Sequence, residues 1–139
     1  SSICLVRKLA QKHELNIQAA LFDLKCPDYN LKMHEKSCVL TYGAVNQTAG
    51  KFHNFITYLL SQKPEICVHV ESLVELYDKH ILFDNLAATF QENRNYTTNF
   101  LSYLIEIRDQ GLIDLKKVQR LYFGNMNWEG FSYVIWSPR

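Results

Sequence analysis

A chain of 139 residues with 47% apolar residues has enough apolar content to build one folded core, which sets it apart from a disordered, highly charged tail. Its 15 basic and 14 acidic residues leave a net charge of +1, far from the positive excess that generic phosphate binding favours. No apolar run approaches the roughly 20 residues of a membrane-crossing helix, because His53, Asn54 and Thr57 interrupt the densest stretch, Phe52 to Leu60.

In chain order, Leu5, Val6, Leu9 and Ala10 form a short helical face that Ser2 can cap, which predicts a helix over about 3–14. The opening residues lack a basic segment followed by an apolar one and do not read as a signal peptide. Ile17 to Leu24 predicts a strand before the turn signal Cys26-Pro27-Asp28-Tyr29-Asn30, and Ser37 to Val45 predicts a second strand. Phe52, Phe55, Ile56, Leu59 and Leu60 have helical spacing over 51–62, and Pro64 ends that helix. Past this break, 70–80 (Leu73, Val74, Leu76, Tyr77) and 81–92 (Leu82, Phe83, Leu86, Ala87, Phe90) both read as amphipathic helices. A third helix runs from a Thr97 or Thr98 cap to Gln110, with Gly111 placed for a left-handed C-terminal residue. The basic cluster Lys116, Lys117 and Arg120 follows, then the turn Gly124 to Asn127, and a strand rich in aromatic and β-branched residues from Phe131 to Trp136. The fold expected is α+β: a helix–strands–helix unit over 1–62 packed on a second, winged-helix-like unit over 65–139, or the two as one continuous domain.

Two of these patterns resemble known families. Residues 70–136 resemble a winged-helix domain: two helices, a turn, a third helix closing on Leu104 to Ile113 with the spacing Leu-x6-Gly-Leu-Ile, then a two-stranded wing. In DNA-binding winged helices the third helix enters the major groove with basic or amide side chains, and basic wing residues touch phosphate. Here the solvent candidates on that helix are Asn99, Ser102, Tyr103, Glu106, Arg108 and Asp109, one cation against two carboxylates. The first half, through the helix at 51–62, is similar to a degenerate double-stranded-RNA-binding domain in its helix–strands–helix order. It departs from that family at Gln47-Thr48-Ala49-Gly50-Lys51, where one lysine stands in place of a basic pair.

Charge is unevenly spread. Residues 1–51 hold seven Lys/Arg against four Asp/Glu, 52–110 hold four against eight, and 111–139 hold four against two. An acidic middle between basic ends suits a surface that meets a protein, or the docking of one end of the chain on the middle. Of the four cysteines, Cys4, Cys26, Cys38 and Cys67, all but Cys26 lie in apolar surroundings, which predicts buried free thiols and a reducing intracellular compartment, nuclear or cytoplasmic. The even cysteine count and the sequons at Asn46 and Asn95 leave a secreted, disulfide-linked ligand as an alternative.

Chemistry-bearing patterns are sparse. Cys26-x7-His34-x3-Cys38, with Cys67 and His69 as a further source of a ligand, is the sharpest zinc pattern, but it contains no Cys-x2-Cys pair, and no metal or other cofactor is expected. There is no Gly-rich phosphate loop, Gly-x-Ser-x-Gly elbow or His-Glu-x-x-His pair, so neither an enzyme nor a small-molecule substrate is expected. The function expected is a non-catalytic protein–protein interaction domain within a nucleic-acid-associated assembly, with Tyr103, Glu106, Arg108 and Trp128 as partner contacts. The alternative is direct DNA or RNA binding through Lys116, Lys117 and Arg120, with Trp128, Tyr133 and Trp136 available for stacking. Trp128, between a turn and Glu129-Gly130, fits either a core cap or an anchor.

Overall fold

The computed structural model describes residues 2–122 and 131–139. It is α+β: helices α1 (Ser2–Lys12), α2 (His53–Gln62), α3 (Leu82–Asn93) and α4 (Phe100–Asp109) accompany strands β1 (Cys38–Tyr42), β2 (Ile66–Glu71), β3 (Ile113–Arg120) and β4 (Ser132–Pro138). The strands form one sheet in the order β1-β2-β4-β3, with β1 parallel to β2 and the other pairs antiparallel. No described helix is long and apolar enough to cross a membrane.

The helix spacing read between 51 and 62 places Phe55, Ile56, Tyr58 and Leu59 in the core. The chain leaves α2 through Lys63 in the left-handed region (φ +50°), whose N–H donates to the Leu59 carbonyl, and Pro64 cannot continue the helix. At the end of α4, Gly111 (φ +78°) donates to Arg108 and Leu112 donates to Ile107, a paired closure that the left-handed glycine permits. α1 forms as its spacing predicts, yet buries only Ala10, leaving Leu5, Val6 and Leu9 exposed.

Two expected elements are replaced. The strand expected over 17–24 is absent, and residues 13–37 carry no helix or strand. Apolar residues there are satisfied by side-chain packing on α2: the Phe22 ring meets Tyr58 at 5.2 Å and Tyr29 meets it at 5.5 Å. The Tyr58 hydroxyl donates to the Leu31 carbonyl at 2.6 Å, while Asp23 and Asp28 turn the strap by accepting from the N–H two residues on. The helix expected over 70–80 is also absent. The alternation Cys67, His69, Glu71 inward against Ile66, Val68, Val70 is strand period, and it carries β2 to Glu71 before a 3-10 turn at Val74–Leu76. The three-helix order of a winged helix is therefore not formed, and the expected wing, β3 with β4, is half of a four-stranded sheet.

That sheet draws strands from both sides of Pro64, and one apolar cluster joins Val45, Phe52 and Leu59 to Phe100, Leu104, Ile113 and Trp136. Register sorts the sheet into two faces. Thr41, His69, Val134 and Val118 share a row on the face against α2 and α4. Leu40, Val68, Ile135 and Lys117 share a row on the opposite face, where Leu40 is 66% exposed and the other three are half-buried or exposed.

Candidate interaction surfaces

The carboxylates of the acidic middle are partly spent inside the molecule. Glu71 has no solvent exposure. Its Oε1 accepts from Thr41 Oγ1 at 2.8 Å and from the N–H groups of Ala44 and Val45 at 3.1 and 3.2 Å, and its Oε2 accepts from Asn46 N–H at 3.3 Å. One side chain thereby closes the turn that leaves β1 and starts the 3-10 turn at Asn46–Thr48. Burial raises the Glu71 carboxyl above its ordinary value, against the opposing pull of those four hydrogen bonds. Glu75 performs the same service for α4, with Oε1 accepting from Leu101 and Ser102 N–H at 2.8 and 3.1 Å, a carboxylate at a helix N-terminus.

Thr41 also links Glu71 to His69. Because its hydroxyl donates to Glu71, it must accept from His69 Nδ1 at 2.8 Å, which fixes the neutral Nδ1–H tautomer. His69 is sealed among Phe55, Phe100 and Trp136, and burial pushes its pKa down to about 3. A Glu–Thr–His chain of this kind looks like a proton relay, but His69 and Glu71 have no solvent exposure through which a substrate could reach them. Its role in the geometry is to tie β1 to β2.

Asp84 is the third internal carboxylate. Its oxygens accept from Arg120 Nη1 and Nη2, each at 2.6 Å, and from Asp78 N–H at 2.7 Å. The side chains are only 10% (Arg120) and 6% (Asp84) exposed. The guanidinium also donates to the Leu76 carbonyl at 3.2 Å and lies over the rings of Tyr77 and Tyr122, each at 4.9 Å. The charge pattern thus docks a basic C-terminal strand on the acidic middle.

The nucleic-acid candidates are engaged elsewhere. Lys116 pairs with Asp114 at 2.9 Å, Lys117 lies 5.5 Å over the Tyr133 ring, and Arg120 is held by Asp84. Trp136 is fully buried, so of the aromatics named for stacking, Tyr133 alone is half-exposed, and Trp128 lies outside the described residues. Of the partner-binding candidates on α4, Tyr103 is half-buried against Phe52 and His53, with ring centroids at 5.5 and 4.7 Å. Burial, and secondarily Glu106, raises its phenol pKa. Glu106 is exposed and accepts from Gln110, and Arg108 pairs with its neighbour Asp109 at 2.8 Å. These three share one helix, α4.

The cysteines stand differently from the expectation of burial. All four are free thiols, but Cys4, Cys26 and Cys38 are exposed, because α1 barely packs and Cys38 points to the open face of an edge strand. Cys67 alone is buried, and burial, with a smaller contribution from Cys38, pushes its thiol up to about 12, into the inert range. Cys26, His34 and Cys38 do not converge, and the described residues hold no group of three metal-ligating side chains. The Asn46 sequon is closed by burial, with Asn46 and Thr48 both inside.

The feature that periodicity concealed is α3. Its buried residues are Asp84, Ala87, Ala88 and Gln91, while Leu82 (69% exposed), Phe83 (56%) and Leu86 face solvent, extended by Ile81 just before the helix. The helix is inverted: a small and polar stripe points inward, and the large apolar stripe points out. A legible signal existed in Asp84 and Gln91, which sit seven residues apart with two alanines between them, a second face that the leucines and phenylalanine outweigh in a hydropathy reading. The chain matches no family model, no curated protein and no solved structure.

Proposed function

We propose that this is a non-catalytic protein-interaction domain, as part of an assembly that itself handles nucleic acid, and that the outward face of α3 is its principal contact surface. The observation that carries the reading is the inversion of α3. Ile81, just before the helix, and Leu82, Phe83 and Leu86 on it stand exposed, while the inward face buries Asp84, Ala87, Ala88 and Gln91. A contiguous exposed apolar group on a domain with its own core marks a surface that is covered by a partner. Tyr103, Glu106 and Arg108 on α4 are a second, more polar candidate surface, with the rim-like composition found around such contacts.

The test is affinity capture with quantitative mass spectrometry from the native cell. It compares the wild type, Leu82→Gln/Phe83→Gln, and Tyr103→Ala/Glu106→Arg. The α3 variant is expected to lose a stoichiometric partner by at least about tenfold, the size of effect that truncating a central apolar anchor produces. Loss only in the α4 variant moves the contact to that helix, and unchanged capture in both contradicts the proposal.

A further inference from the structure

The outer edge of β1 is an unfilled strand position. Gly43 N–H donates to the Val70 carbonyl at 2.9 Å, and the register pairs Thr41 with His69 and Tyr42 with Val70. Alternation along a parallel ladder then points the main-chain groups of Val39 and Thr41 toward β2 and those of Leu40 and Tyr42 away from it. Among the described residues nothing bonds those outward groups. Edge strands are ordinarily protected by lysine, proline or a bulge, and Cys38, Val39, Leu40, Thr41 and Tyr42 supply none of these.

Alongside this edge runs an apolar groove of about 460 Å³, floored by Phe22, Leu24, Met33, Phe55 and Tyr58. Past the end of β1 it continues through a hollow of about 420 Å³ lined by Leu21, Lys25 and one carboxylate, Asp23, whose Oδ1 accepts from the Lys25 N–H, to a smaller one of about 210 Å³ lined by Lys25, Lys51 and His53. Lys25 and Lys51 take part in no ion pair among the described residues, and Lys32, the one charged side chain in the groove lining, has none either.

We propose that this edge receives an extended segment of a partner polypeptide as a fifth strand, with apolar side chains at every second position and carboxylates at the end reaching Lys25 and Lys51. The main-chain groups of Leu40 and Tyr42 call for another extended backbone. The apolar floor takes alternate side chains, as in strand addition to a sheet edge. Charge selects the occupant: Lys25, Lys32 and Lys51 bring positive charge without an ion pair among the described residues, and an acidic end of the segment complements it. The inference rests on the interaction-domain reading but uses a surface separate from α3.

The experiment selects peptides from a random decapeptide phage library on the immobilised full chain. The synthesised winners are then added at saturation while amide hydrogen exchange is followed by NMR. The expected result is peptides of alternating apolar residues with an acidic end, which slow the Leu40 and Tyr42 amides by at least about tenfold as those groups enter a ladder. Lys25→Glu/Lys51→Glu is expected to weaken them by about fivefold or more, with Lys79→Glu as an unaffected control. The proposal is overturned if no peptide is selected, or if bound peptides leave the two amides exchanging as in the free chain. It is equally overturned if the amides are already protected in a self-associated form detected by sedimentation. Any of these leaves the α3 capture result standing, so the two proposals fail separately.

Discussion

Replacing Glu71 with alanine is expected to lower the unfolding free energy by about 3–5 kcal/mol, because each buried donor left without an acceptor costs about 1–3 kcal/mol. The loss comes from four donors, Thr41 Oγ1 and the N–H groups of Ala44, Val45 and Asn46, left without an acceptor where water is excluded. Glu71→Gln retains one carbonyl oxygen but turns an amide N–H toward a backbone N–H, so a smaller loss of about 1–3 kcal/mol is expected. Urea unfolding followed by the fluorescence of Trp136, stacked on His69, measures both, and a loss below about 1 kcal/mol in the alanine variant contradicts the bonding scheme. The pH dependence has a definite sign. Burial raises Glu71, so the native state holds its proton to higher pH than the unfolded chain does. Stability from this group therefore declines as pH rises from the ordinary carboxylate range through the raised value, and Glu71→Gln removes that slope.

Arg120→Ala and Asp84→Ala are each expected to cost about 3–5 kcal/mol, because either leaves the other charge buried and unpaired. The double replacement Arg120→Met/Asp84→Leu is expected to recover most of the loss, since burying two apolar side chains removes the desolvation penalty instead of stranding half of it. Here the sign with pH is opposite to that of Glu71. The hydrogen bonds from Arg120 hold the Asp84 carboxyl below its ordinary value, against the effect of burial. The contribution is fully present above the unfolded value and is lost as pH falls through the lowered one, so Asp84→Asn flattens the acid limb of the stability profile. Additive losses in the double variant would show that the two side chains do not act as a pair.

The elements that the sequence made legible are those in which period and chain terminators agree. In α2 helical spacing ends at Lys63-Pro64, in α4 it ends at Gly111, and in β4 aromatic and β-branched residues crowd one strand. Between 66 and 80 two periods compete. Cys67, His69 and Glu71 alternate with valines at period two, but both sides of the alternation carry apolar residues, because a strand second from the edge is partly covered on each face. The helical spacing of Leu73, Val74, Leu76 and Tyr77 was the louder signal and corresponds only to a 3-10 turn. Residues 17–24 carry apolar side chains without a partner strand, and no local signal distinguishes a strand from a strap on α2. Glu71, Glu75 and Asp84 turn inward to satisfy backbone N–H groups and Arg120, whose positions only the fold reveals.

α3 is tied to β3 through Asp84, and the proposed contact surface leaves Leu82 and Phe83 on its outer side for a partner. Urea unfolding of Leu82→Gln/Phe83→Gln, measured beside Asp84→Ala, tests it most directly. The account predicts that losing both large apolar side chains changes stability by no more than about 1 kcal/mol, as for exposed positions, while losing one carboxylate costs about 3–5 kcal/mol. A loss of about 3 kcal/mol or more in the glutamine pair, the mark of truncated core residues, with little change in Asp84→Ala, would contradict it.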